Sequence, residues 1–145
     1  MQKRETIWIV ALVVVGLAYY HFFGGRNAPR PLSVRASLRP ARRGESPVYP
    51  VYFTLDDNVK LTSIKVVPLN DDGHVDPATV PSWNLISDST SVPTRAFFYG
   101  QSIQGMKPAG SNAQPDALTP GVIYQMTLSA GKLTASLNFK TEPTQ

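Results

Sequence analysis

Apolar and polar residues fall into two regimes along this chain, one continuous and one alternating. From Thr6 to Phe23 the sequence reads TIWIVALVVVGLAYYHFF, eighteen residues without a charge. As a helix, that run would rise roughly 27 Å, close to the hydrocarbon thickness of a bilayer. The pattern predicts a single transmembrane α-helix over 6–23, after a short tail, 1–5. Trp8 stands near one end, and Tyr19, Tyr20, Phe22 and Phe23 cluster at the other. Such aromatics favour the headgroup level on both sides of a membrane. The competing reading is a cleaved signal peptide, with Lys3 and Arg4 as its basic start and Gly16-Leu17-Ala18 as its cleavage site. Cleavage there would expose Tyr-Tyr-His-Phe-Phe as a new apolar terminus, so a retained anchor is the expectation.

Beyond residue 31 the period drops to two, the signature of strands with one buried and one wet face. Leu32, Val34, Ala36 and Leu38 alternate with Ser33, Arg35, Ser37 and Arg39. Arginines on the wet face suit an edge strand. Val51, Phe53 and Leu55 alternate with Tyr52 and Thr54, and Asp56-Asp57-Asn58 then reads as a turn. Lys60 to Leu69 is a third strand, with Ile64 and Val66 inward, ended by the turn Asn70-Asp71-Asp72-Gly73. Trp83–Ile86 and Arg95–Tyr99 are shorter candidates. Val122, Tyr124, Met126 and Leu128 alternate up to Ala130-Gly131-Lys132; Leu133, Ala135, Leu137 and Phe139 alternate back. Two such runs around a tight glycine turn make a β-hairpin. About seven short strands at this spacing predict an all-β, antiparallel β-sandwich over 32–141, with 142–145 as a tail.

The stretch Leu118-Thr119-Pro120-Gly121-Val122-Ile123-Tyr124 resembles the L-x-P-G-x-x-Y tyrosine corner of fibronectin type III and related immunoglobulin-like domains. The resemblance implies that Tyr124 opens the penultimate strand, buries its ring and bonds its hydroxyl to backbone upstream, with Pro120 and Gly121 shaping the turn. It also implies that Phe139-Lys140-Thr141 lies on the closing strand. The likeness is specific over 118–141 and loose over 32–99. The early tryptophan usual in that family is absent, with Tyr52 or Phe53 in its place. The fold does not itself imply a function.

Charge changes the picture next to the apolar helix. Residues 26–43 carry Arg26, Arg30, Arg35, Arg39, Arg42 and Arg43 and no acid, whereas from Gly44 onward six lysines and arginines face nine acids. The basic character therefore belongs to the arm beside the anchor. Residues 24–31 read as a linker in which glycines break the helix and prolines extend the backbone. The arginines suit a solvated arm and topology signal, or contacts with membrane lipid phosphate or an acidic protein face, but not a nucleic-acid-binding surface. The positive-inside count would place the domain in the cytoplasm. The short basic N-terminus resembling an export signal, and arginines that fall on a strand, favour an inner-membrane, single-pass protein with a periplasmic domain. Thirteen prolines and ten glycines fit a turn-rich β protein, and no cysteine is present to staple it.

Candidate chemistry is sparse. His21 falls among the interface aromatics. His74 lies in Asn70-Asp71-Asp72-Gly73-His74-Val75-Asp76, an oxygen-rich run whose spacing does not match an EF-hand, since Pro68 would take its first position. Asp56-Asp57 reads as a turn pair. No phosphate loop or nucleophile elbow is written in the chain. The expectation is a non-catalytic protein without cofactor, metal or small-molecule substrate. Gly100 to Thr119 forms a long irregular loop, with Gly105, Met106 and Lys107 as candidate partner contacts, Met106 being exposed; Asp71 to Ser82 is a second such loop. The leading functional expectation is an accessory subunit of a larger membrane complex, of which a respiratory or photosynthetic one would suit. The alternative is an independently anchored ligand-binding or adhesion module of the cell envelope, its pocket among Trp83, Phe97, Phe98 and Tyr99.

Overall fold

The computed structural model describes residues 2–23, 31–39, 48, 50–88, 90–110 and 114–143. The chain divides into two compact units, residues 1–30 and 31–145.

The first unit holds α1, Gln2–Phe23. No helix among the described residues is long and apolar enough to cross a membrane, so the expected transmembrane helix over 6–23 is corrected. The reason lies in the ends. The first turn is Gln2-Lys3-Arg4-Glu5 and the last holds Tyr19, Tyr20 and His21. Between them, the apolar run Ile7–Ala18 would rise only about 18 Å, well short of a bilayer core of about 30 Å. Absence of charge from Thr6 onward is thus a weaker signal than continuous apolarity.

The second unit is two antiparallel sheets that share one core. One sheet has the order β1-β2-β5, from Val34–Leu38, Val51–Val59 and Thr94–Phe98. The other has the order β6-β4-β3-β7-β8, from Lys107–Pro108, Trp83–Ile86, Ser63–Pro68, Ile123–Ala130 and Leu133–Lys140. This β-rich architecture is compatible with the sandwich expected from the alternation. The inward phases meet between the sheets. Phe53 of the first sheet lies 5.1 Å from Phe139 of the second, ring centre to ring centre, and Phe97 lies 6.1 Å from Trp83. Phe53, Leu55, Leu61, Ile64, Val66, Met126 and Leu128 are essentially inaccessible. At about 1.5–3 kcal/mol for each fully buried side chain, this cluster supplies the main drive to fold.

Three local expectations change. Asp56-Asp57-Asn58 is not a turn but part of β2, where the register against β5 shifts between Thr54 and Val59. Asp56 is held by Ser33 beside β1: its N–H donates to the Ser33 carbonyl (3.3 Å), and its carboxylate accepts from the Ser33 N–H (3.2 Å). Those bonds carry the strand on, and the chain reverses only after Val59, around the buried Leu61. Second, 100–119 is not an irregular loop throughout, because β6 adds an edge to β4. Third, the hairpin turn is confined to Gly131-Lys132, with Gly131 at φ 62° in the left-handed region that favours glycine.

Candidate interaction surfaces

The strand phase that the core leaves free defines the outer face of the three-stranded sheet. Register places Arg35 beside Thr54 and Ala96, and Ser37 beside Tyr52 and Phe98, in two cross-strand rows. Tyr52 and Phe98 are directly paired, their rings 4.8 Å apart. Arg39, just beyond β1, is fixed by its N–H donating to the Pro50 carbonyl (3.1 Å). Its guanidinium carbon stands 4.1 Å from the Tyr52 ring centre and 6.0 Å from that of Phe98. A cation over an aromatic face is attracted by the ring quadrupole, and the planar fork keeps N–H donors for a carboxylate. Phe98 remains 37 % exposed. The cluster joins apolar area, charge and directed donors, the composition of interface anchors.

The sequence-predicted contact residues divide accordingly. Arg35 and Arg39 share this face. Arg26, Arg30, Arg42 and Arg43 lie outside the described residues, as do the side chains of Trp8 and Phe23. On α1, Tyr19, Tyr20 and Phe22 are exposed, and so are Ile7, Leu12 and Leu17, which point to different sides of the helix. Tyr52 was not among the expected contacts, and Phe98 was expected only in a pocket with Trp83, Phe97 and Tyr99. The available signal was an aromatic in the outward phase of an alternating run, where a wet face carries serine or threonine.

Gly105, Met106 and Lys107 lie where the chain passes the 90–91 backbone and enters β6. Gly105 has φ 85°, and a Cβ on it would lie 2.4 Å from the Thr90 carbonyl oxygen and 2.6 Å from Ser91 Cα. Met106 is half-buried and packs on the core, whereas Gly105 and Lys107, the latter paired with Ile86 of β4, are exposed. The close approach serves Ser91, whose buried hydroxyl donates to the Leu61 carbonyl (2.6 Å). The segment from 103 to 106 therefore backs the 90–91 backbone, and through Ser91 clamps the β2–β3 connection, while Gln104 and Gly105 stay exposed.

Pro120 and Gly121 turn the chain into β7, and the Tyr124 ring is buried and stacked on Phe139 at 5.8 Å. The Thr119 N–H donates to the Tyr124 hydroxyl (2.9 Å), linking that hydroxyl to backbone five residues upstream.

Of the four aromatics expected to line one pocket, three pack together and Phe98 stands apart. Trp83 and Phe97 are core residues, Phe98 faces outward, and Tyr99 packs edge-on to Trp83 at 5.3 Å. The Tyr99 hydroxyl reaches the carbonyls of Asp116 (2.8 Å) and Ser82 (3.1 Å), tying Asp116 to the residue before β4. Burial pushes the Tyr99 phenol up from its ordinary value, and the nearby Asp116 carboxylate adds to the shift. The cleft beside it, bordered by Val80, Trp83, Asn84, Leu85, Pro108 and Asp116, is about 160 Å³. That is small against the ~300–1,000 Å³ of typical ligand pockets. The 70–76 run is a tight turn, closed by the Gly73 N–H donating to the Asn70 carbonyl (2.8 Å) and the Asn70 N–H donating to that of His74 (3.0 Å).

Set against known proteins, the chain matches no family model, no curated protein and no solved structure.

Proposed function

We propose that this chain is a non-catalytic docking module, an accessory subunit of a larger protein complex, whose β domain binds an acidic surface of a partner through the outer face of β1-β2-β5. The observation that carries the reading is the Arg39–Tyr52–Phe98 cluster, with its 4.1 Å cation–ring and 4.8 Å ring–ring distances, on the outward face of the sheet where Phe98 stays 37 % exposed. Arg35 extends the same face, so charge is available to orient a partner while the rings supply area. The apolar helix supports the same reading. A helix apolar on every side needs a covering partner, and Ile7, Leu12 and Leu17 are each more than 60 % exposed.

The test is chemical crosslinking of the native chain followed by gentle purification. The expected result is a complex well above the 15.9 kDa of the chain, lost in an Arg39→Glu, Phe98→Ala double variant that keeps the wild-type circular dichroism spectrum. Migration of the wild type as a free monomer, or a folded double variant that keeps its complex, overturns the proposal.

A further inference from the structure

The flank where β1 and β8 lie side by side carries an inference that rests on the docking reading and specifies its partner. In an antiparallel pair, alternate residues turn their backbone groups toward the partner strand and the rest turn away. The Ser33 carbonyl accepts from Asp56 and the Arg39 N–H donates to Pro50, so odd-numbered residues of this stretch bond toward β2. The N–H and C=O groups of Val34, Ala36 and Leu38 therefore face the free edge. On β8, the bond from the Gly121 N–H to the Thr141 carbonyl (3.1 Å) sets the same alternation, and Ser136, Asn138 and Lys140 turn their backbone groups outward. Among the described residues the two edges are not paired with each other. A cleft of about 230 Å³ opens between them, lined by Ala36, Leu38, Val51, Leu137 and Phe139. Leu38 is 39 % exposed at its mouth. The flank is also mainly basic: Arg35 and Arg39 stand on one side and Lys140 on the other, with no acid in 32–39 or 133–140 and Glu142 only after β8 ends. The carboxylate beside it, Asp56, already accepts the Ser33 N–H.

We infer that the free edge of β1 accepts an extended, acidic segment of a partner protein as an added strand. Main-chain bonds to Val34, Ala36 and Leu38 supply the pairing, and side chains of alternate sign of polarity supply the choice of sequence. Residues set opposite Arg35 and Arg39 point to the outer face, where carboxylates meet guanidinium donors. Residues set opposite Ala36 and Leu38 point inward, where apolar side chains enter the cleft. The recognised pattern is acid, apolar, any, apolar, acid. A second copy of this chain does not offer it. Its acids at that spacing are Asp72 and Asp76, with Gly73 at the first apolar place and a tight turn in place of extended backbone.

The experiment titrates a short synthetic peptide carrying Glu-Val-Thr-Val-Glu into the full chain, with a lysine-for-glutamate peptide as control, and follows backbone amide resonances and their exchange. Binding of the acidic peptide alone, with new protection of the Val34, Ala36 and Leu38 amides, is the expected result. Ala36→Pro removes a donor that points to the free edge and leaves the bonds to β2 intact. It is expected to weaken binding about tenfold or more, as is Arg35→Glu combined with Arg39→Glu. Equal binding of both peptides, or acidic-peptide binding unchanged by Ala36→Pro in a variant with the wild-type spectrum, overturns the inference. If the peptide fails to bind while the native complex still depends on Arg39 and Phe98, the strand-addition inference falls and the docking reading stands.

Discussion

The replacement of Gly105 by alanine tests the clamp between the 103–106 segment and the β2–β3 connection. Two costs act there. Backbone at φ 85° penalises any residue with a Cβ, by about 1–2 kcal/mol. The added methyl group would also sit 2.4 Å from the Thr90 carbonyl oxygen and 2.8 Å from the Ser91 nitrogen. Backbone cannot rotate out of the way as a flexible side chain can, so the 90–91 segment must move and the Ser91–Leu61 bond with it. Such overpacking adds about 1–3 kcal/mol. Gly131→Ala separates the two terms: Gly131 has φ 62° and nothing within 4 Å of its Cβ position, so it bears the conformational cost alone. Urea unfolding followed by tryptophan fluorescence, to which the buried Trp83 contributes, measures both variants. With a denaturant slope of about 1–3 kcal/mol/M for a domain of this size, Gly105→Ala is expected to lower the midpoint by about 1 M more than Gly131→Ala does. Coincident midpoints for the two variants would refute the clamp.

Other consequences follow from the same contacts. Ser91→Ala leaves the buried Leu61 carbonyl without its donor and is expected to cost about 1–3 kcal/mol, read from the same urea midpoints. The Tyr99 phenol is raised in the folded state, so its contribution to stability is present below the unfolded value of about 10 and is lost as pH rises through it. Unfolding at about pH 8 and about pH 11 should show a larger alkaline loss for wild type than for Tyr99→Phe, and an equal loss in both would contradict the assignment. The Tyr99→Phe variant is also expected to be less stable at neutral pH, because the carbonyls of Ser82 and Asp116 lose their common donor.

Period-two alternation was enough to locate the long strands. The inward phase of 32–36, 51–55, 64–66 and 124–139 in the sequence is the buried phase in the structure, since a pleated backbone presents alternate side chains to opposite faces whatever its neighbours are. The pattern around Pro120, Gly121 and Tyr124 was equally local: five residues separate the tyrosine hydroxyl from the N–H it meets. Hydropathy was less informative at α1. An uncharged run and an apolar run look alike in a charge count, and the difference decides whether a helix is long enough to span.

What only the tertiary structure decided is which strands become neighbours. Arg39, Tyr52 and Phe98 come together because β2 pairs with β1 on one side and β5 on the other, a choice made across dozens of residues by the fit of Phe53 and Phe97 into a common core. The same pairing turned Asp56-Asp57 from a turn into strand, set Phe98 on the outer face beside Tyr52 and away from the core that holds Trp83, and left the edges of β1 and β8 exposed side by side. Local pattern says which face of a strand is wet. It cannot say which other wet residues will share that face, because long-range pairing is settled by burial summed over the whole domain and not by any single segment.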